Sequence, residues 1–358
     1  MSFQLLTLDE DSLYEHVFER YIELTSNSTS LKQDLGILDR SKTNVQVDIE
    51  PFTSNNDLSA LKGKQKKKNE KLQNNFYTMQ VEQSLTSLNS SKDNNNSTTG
   101  YVLWSTTPFF LKWLLYHPSA ESLRSGGEVE VISVSDPNEI SKSKISRMLN
   151  NNTNNIIESN PIGVLELGSG ISGILPVVLG NFVNSYISTD QRGILNKLKS
   201  NIKENLLQIN RRTCVSKSLN LNHESIDNSE DKEALPSSKV ILNLEVMPLD
   251  WENFDISKPA NIDPELIHLC KNSKTIHILA MDVIYNEFLI DSFLNTLKQL
   301  RTLFKKHNVE THCVIGIHLR SQEVVTEFLE RAIIEYELPI HYIKSPFVET
   351  SRFSFYYI

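Results

Sequence analysis

The feature that most limits the folds open to this chain is an alternation, across its second half, of short apolar β-type runs with longer amphipathic runs. Strands are expected near 162–167, 184–189, 240–247, 275–282 and 312–319, and helices near 172–181, 191–208, 287–306 and 321–335. That order builds a mostly parallel α/β sheet, because two parallel neighbours need a crossover long enough to hold a helix. The pattern changes at the end. ELPIHYIK at 337–344 and SRFSFYYI at 351–358 are β-rich with no helix between them, which predicts an antiparallel C-terminal hairpin on the edge of the sheet. Upstream, LDEDSLYEHVFERYIEL at 8–24 spaces Leu13, Val17 and Tyr21 four apart behind Asp9 and Glu10, the pattern of an amphipathic helix.

Polar stretches divide this alternation. KGKQKKKNEK at 62–71 holds too little apolar material to fold alone, so residues 1–76 read as an N-terminal helix and a flexible basic linker, with the globular domain at 77–358. The competing reading of the basic run is a nuclear-localisation or RNA-contacting patch. Stretches near 117–160 and 216–239 read as insertions that decorate the core. With 39% hydrophobic residues among 358, the chain can bury a substantial core. No apolar run approaches a membrane span, and the N-terminus lacks a signal-peptide pattern, so neither membrane insertion nor secretion is expected. Cys214, Cys270 and Cys313 are too far apart for a disulfide framework or a zinc cluster; no metal is expected, and a reducing, cytoplasmic setting fits. A net charge of −8 argues against a broad nucleic-acid surface. A monomer is expected.

The densest motif is GVLELGSGISGILP at 163–176. Gly168, Gly170 and Gly173 satisfy G-x-G-x-x-G after a strand and at the mouth of a helix, a turn that lets backbone amides approach a ligand. A phosphate-binding loop would need Lys and Ser/Thr where Ile174 and Leu175 stand, and a nucleophile elbow would need glycine at 174. Dehydrogenase and methyltransferase remain. Asp190, ending the second strand, suits both, since a carboxylate there accepts from ribose hydroxyls. Glu166 discriminates: two residues before the first glycine it would repel a pyrophosphate, whereas S-adenosyl-L-methionine carries no phosphate and presents an ammonium and a sulfonium.

ELGSGISG, then TDQ, then LDW at 249–251, then AMDVIY at 280–285 together resemble the seven-β-strand methyltransferases that modify lysine in non-histone proteins, the family with an Asp-x-x-Tyr motif. The likeness spans nearly the whole chain and is weakest in the polar stretches. It implies a Rossmann-like sheet of seven strands with the last antiparallel, and S-adenosyl-L-methionine as cofactor. By the same resemblance Trp104 closes over the cofactor, with Thr107 as N-cap and Pro108 as first residue of the helix behind it. Gly168, Ser169 and Gly170 lie under the methionine part, and Asp250 and Trp251 contact adenine. Met281 stands near the adenosyl group, where relatives often carry a small residue, and Ser105 replaces a common proline. Asp282 and Tyr285, at the end of the fourth strand, are implied to hold the acceptor amine, Asp282 as an orienting carboxylate. The implied substrate is a ribosomal protein of the large subunit.

Two other functions stay open on the sequence. A nicotinamide-dependent oxidoreductase would use the same glycine turn, though no catalytic His, Lys or Tyr-x-x-x-Lys arrangement accompanies it; a binding module would keep the fold without turnover. An amino group on a nucleic-acid base is a minor acceptor option, because DVIY is not the Asn/Asp-Pro-Pro-Tyr/Phe/Trp pattern expected for one.

Overall fold

The computed structural model describes residues 2–26, 36–51, 76–85, 98–136, 138, 140–150, 160–222, 240–259 and 262–358. The basic run at 62–71 and most of the 216–239 stretch lie outside them. The strands are β1 (Gln4–Thr7), β2 (Asn44–Ile49), β3 (Tyr77–Glu82), β4 (Gly127–Ser133), β5 (Ile140–Ile145), β6 (Ile162–Leu167), β7 (Ser185–Asp190), β8 (Thr213–Val215), β9 (Ile241–Pro248), β10 (Thr275–Met281), β11 (Glu310–His318), β12 (His341–Lys344) and β13 (Phe353–Tyr357). The helices are α1 (Leu13–Ser26), α2 (Thr106–Tyr116), α3 (Glu121–Ser125), α4 (Ile174–Leu179), α5 (Arg192–Glu204), α6 (Pro264–Lys271), α7 (Ile290–Lys306), α8 (Gln322–Glu330) and α9 (Pro346–Glu349).

Among the described residues one sheet runs β5-β4-β1-β12-β13-β11-β10-β6-β7-β9-β8, and β2 pairs with β3 separately. Its centre, from β9 through β7, β6 and β10 to β11, is parallel throughout, and β13 runs antiparallel to both neighbours. This is the expected Rossmann-like α/β sheet. Every residue of β6 and β10 is buried, because helices cover both faces; that is why these strands are predominantly apolar without a polar alternation. One face carries α2 to α5 with the β2–β3 pair, and the other carries α1, α6, α7 and α8. On the first face Asn201 of α5 and Asn205, the residue that caps it, act as a substitute strand. Asn201 and Asn205 each accept from and donate to the backbone of Glu82 and Gln80, at 2.7–3.1 Å, so the inner edge of β3 is satisfied.

Several expectations need correction. The C-terminal pair is antiparallel but lies inside the sheet, since β1 pairs with β12 (Leu5 opposite Ile343) and β4 and β5 follow outward. A short helix, α9, also sits between its strands, opened by Pro346. β1 spans only four residues, too few for alternation to announce it. The 117–160 stretch contributes two sheet strands; β5, ISKSKI, is exposed at all but its last residue, the composition of an edge strand that blunts further pairing. Helix α2 starts at Thr106 with Ser105 as its N-cap, so Thr107 is not the cap. Unanticipated α6 has a legible start, since the Asp263 carboxylate accepts from Glu265 N at 2.9 Å and Pro264 follows.

The segment read as helix plus linker is joined to the core through α1. Arg20, buried at 3% exposure, donates to Ser354 Oγ and to the carbonyls of Glu349, Ser351 and Phe353. His16 Nε2 lies 3.2 Å from the Tyr356 hydroxyl, and burial pushes its imidazole down to about 3, so it stays neutral.

Candidate active site

The carboxyl ends of β6, β7, β9 and β10 open on one cleft of about 940 Å³ including its mouth. Ligands bind at this edge in open α/β sheets. All eleven site residues named from the sequence line it. Gly168 and Gly170 hold left-handed φ angles of 68° and 57°. A Cβ on Gly168 would fall 2.6 Å from Val283 Cγ1 and 3.3 Å from the Trp251 ring; one on Gly170 would fall 3.2 Å from the Gly100 carbonyl. Side chains here would fill the floor of the cleft. The 98–104 segment crosses above the turn, fixed by Ile171 N donating to Gly100 O at 3.0 Å and Trp104 Nε1 donating to Thr99 O at 2.9 Å.

Three carboxylates surround that turn. Glu166 is 5% exposed, and its Oε2 accepts from Tyr186 and Ser188 hydroxyls at 3.0 Å each. Burial pushes its carboxyl up to about 7, with the hydroxyls of Ser188, Tyr186 and Ser169 pulling the other way. Asp190 accepts from Gly170 N and Gln191 N at 2.7 Å each, and burial raises it to about 6 against those amides. Exposed Asp250 accepts from Glu252 N at 3.1 Å and Asn253 Nδ2 at 2.7 Å. Every hydrogen-bond partner of the three among the described residues is a hydroxyl or an amide.

Beside them, Trp251 packs edge-on against Phe293, its centroid 5.3 Å away. Trp251 Nε1 is buried without a hydrogen-bond partner among the described residues. Met281 fits because its register partner on β11 is Gly316, where a Cβ would come 2.7 Å from the Met281 sulfur. A bulky residue is thus accommodated by the lack of one opposite.

Around Asp282 the surroundings are ionic. Asp282 follows β10 with φ 64°, its amide donating to Gly316 O at 2.7 Å, and its side chain is 1% exposed. The carboxylate is held in two-point fashion by Arg320, Nη1 to Oδ1 at 2.8 Å and Nη2 to Oδ2 at 2.5 Å, with His318 N at 3.3 Å. The Arg320 guanidinium also sits 4.8 Å from the Trp104 ring centroid. Reading the sequence missed Arg320. Its signal was positional: HLR ends β11 at the same sheet edge, one parallel strand away from MD. The next helical turn is capped by Asn286, whose Oδ1 accepts from Phe288 N at 3.0 Å. Half-buried Tyr285 lines the rim with Leu289.

A parallel α/β sheet with an antiparallel β13, bearing a glycine turn and carboxylates at its carboxyl edge, places the protein among the Rossmann-like methyltransferases. The chain is 52% identical over 354 residues to ribosomal lysine N-methyltransferase 5 of Vanderwaltozyma polyspora, covering 99% of both proteins. It is 47% identical over 378 residues to the protein of that name from Saccharomyces cerevisiae strain RM11-1a, over the full length of both. No family model matches. The chain belongs to the ribosomal lysine N-methyltransferase 5 family and is a protein-lysine methyltransferase.

Proposed function

We propose that the protein methylates the ε-amine of a lysine in a ribosomal protein of the large subunit, in the cytoplasm, with S-adenosyl-L-methionine as donor. The observation that carries the choice of donor is the set of Glu166, Asp190 and Asp250, none balanced by a cation among the described residues. Such a surface favours a positively charged, phosphate-free ligand and opposes a dinucleotide. The unsatisfied Trp251 indole N–H, with the glycine floor, fits a ligand that brings a polar acceptor and a flat ring. When bound, the donor supplies a methyl group made electrophilic by a sulfonium.

The chain's own residues do the rest. Asp190 would accept from the ribose hydroxyls, Glu166 would face the cationic end, Trp251 and Asp250 would flank adenine, and Trp104 would cover the site. A lysine amine has a reference pKa near 10.4, so it attacks only after losing a proton and its water. Tyr285 meets that amine at the rim. Asp282, covered and tied to Arg320, acts as a positioning residue: the pair fixes the 282–285 turn and the Trp104 ring around the acceptor path. The acceptor nitrogen would take the methyl group that the sulfonium donor supplies, with the amine proton leaving to solvent.

The test is incubation with methyl-labelled donor and ribosomal proteins from cells lacking the gene, read by intact mass. One ribosomal protein should gain methyl groups on lysine. Absence of labelled lysine, or tight binding of a nicotinamide dinucleotide in a parallel titration, would overturn the proposal.

A further inference from the structure

The face of α1 turned away from the sheet carries Tyr14, Phe18 and Ile22, which are 47%, 57% and 48% exposed. Residues four apart on a helix fall in one line, so the three form an apolar ridge about 12 Å long at 1.5 Å per residue. The opposite face, with Leu13, Val17, Arg20 and Leu24, is buried, so the ridge has no role in the core. Isolated exposed apolar side chains are ordinary; three in line on a docked helix mark a contact surface. Beside it runs a second exposed line, Asp11, Glu15 and Glu19.

Charge says what fits there. Segments 9–26 and 322–337, which include α1 and its packing neighbour α8, carry eleven carboxylates against two arginines, a net −9 where the whole chain is −8. Both arginines are committed, Arg20 to Glu23 and Arg331 to Asp291 and Glu327. The negative charge of the molecule is therefore concentrated on this one layer. The helix also points at the cleft. His16 meets Tyr356 and Arg20 meets the Phe353 carbonyl, so α1 advances along β13 toward Phe353, whose register partner His318 donates to Asp282.

We propose that the Tyr14–Phe18–Ile22 ridge and its acidic flank dock a basic, amphipathic segment of the protein substrate, distinct from the lysine that is methylated. The inference rests on the protein-lysine reading above. Apolar side chains of that segment cover the ridge while its Lys and Arg groups face Glu15 and Glu19, which steers and retains the substrate without touching the chemistry.

The test uses two full-length variants, Phe18→Asn with Ile22→Asn, and Glu15→Lys with Glu19→Lys, whose substituted positions are all exposed. Substrate is the protein fraction extracted from ribosomes of cells lacking the gene, and a short lysine peptide serves as control. Both variants should raise KM for the ribosomal substrate about 10-fold at unchanged kcat, leave the peptide reaction and donor affinity unaltered, and the charge-reversal variant should lose the salt dependence of KM. Wild-type KM in both variants would overturn the docking proposal while leaving the methylation reading intact. Hydrogen exchange gives an independent readout: ribosomal proteins should protect residues 11–26 even if no lysine is labelled, an outcome that would sink the methylation reading alone. Protection without added protein that vanishes on deleting 62–71, or dimerisation abolished by Phe18→Asn, would assign the ridge to this chain itself and overturn the proposal.

Discussion

On one side of the cleft Glu166 and Asp190 sit at strand ends among hydroxyls and amides, whereas on the other the Asp282 carboxylate is clasped by the Arg320 guanidinium. All three follow the same fold logic, a carboxylate at the carboxyl edge of a buried parallel strand, yet they are in opposite electrostatic states. Asp282 has its counter-ion built in, so its charge is spent on holding structure. Glu166 and Asp190 have none, and burial lifts them to about 7 and about 6. For Glu166, raised from 4.5, that shift corresponds to a penalty on the order of 3 kcal/mol on the charged form. The folded protein thus takes up a proton that the unfolded chain releases. The group's stabilising contribution is complete below about pH 4.5 and is lost as pH rises through about 7. A cationic ligand would offset that loss, which under the proposed function couples binding to charge at these two carboxylates.

The sharpest way to break this contrast is to remove the internally balanced member. Asp282→Ala leaves Arg320 uncompensated beside Trp104 and should cost about 3 kcal/mol of stability, with transfer down at least about 100-fold. Donor affinity should stay within about 3-fold. Asp282→Asn, nearly the same shape, should recover part of the melting temperature but not kcat, a split that a purely structural role would not produce. Unchanged transfer in either variant would remove Asp282 from the account. Next in size, Asp190→Ala should weaken donor binding about 10- to 100-fold, the range of lost charge-assisted hydrogen bonds. At saturating donor the rate should return to within about 10-fold of wild type. A loss of kcat with unaltered donor affinity would show that Asp190 serves the turn rather than the ligand.

How much of this was legible follows from how local each feature is. The glycine turn, Glu166 and Asp190 lie within 25 residues in a strand-turn-helix-strand run, so spacing alone exposed them. Trp104, Asp250 and Trp251 sit far from the turn in sequence, and only the family resemblance brought them to the same cleft. Arg320 was invisible because it reaches Asp282 from 38 residues away, across two parallel strands whose register no local pattern encodes. The outer sheet failed for a related reason. β1 is short, and β5 is polar because it is an edge, so neither shows the alternation by which strands are recognised. The C-terminal hairpin looked like an edge only because its neighbour comes from residues 4–7 at the other end of the chain.

The smallest expected effect is also the most direct test of the central claim, that unbalanced carboxylates in the donor half select a cation. Glu166→Gln keeps the side-chain shape while removing the charge. Calorimetric titration of S-adenosyl-L-methionine between about pH 5 and about pH 8 should show wild-type affinity rising through about 7 with release of a proton, and Glu166→Gln binding about 10-fold more weakly with that pH dependence flattened. Equal affinity of the two proteins across the whole range, with no proton released by the wild type, would contradict it.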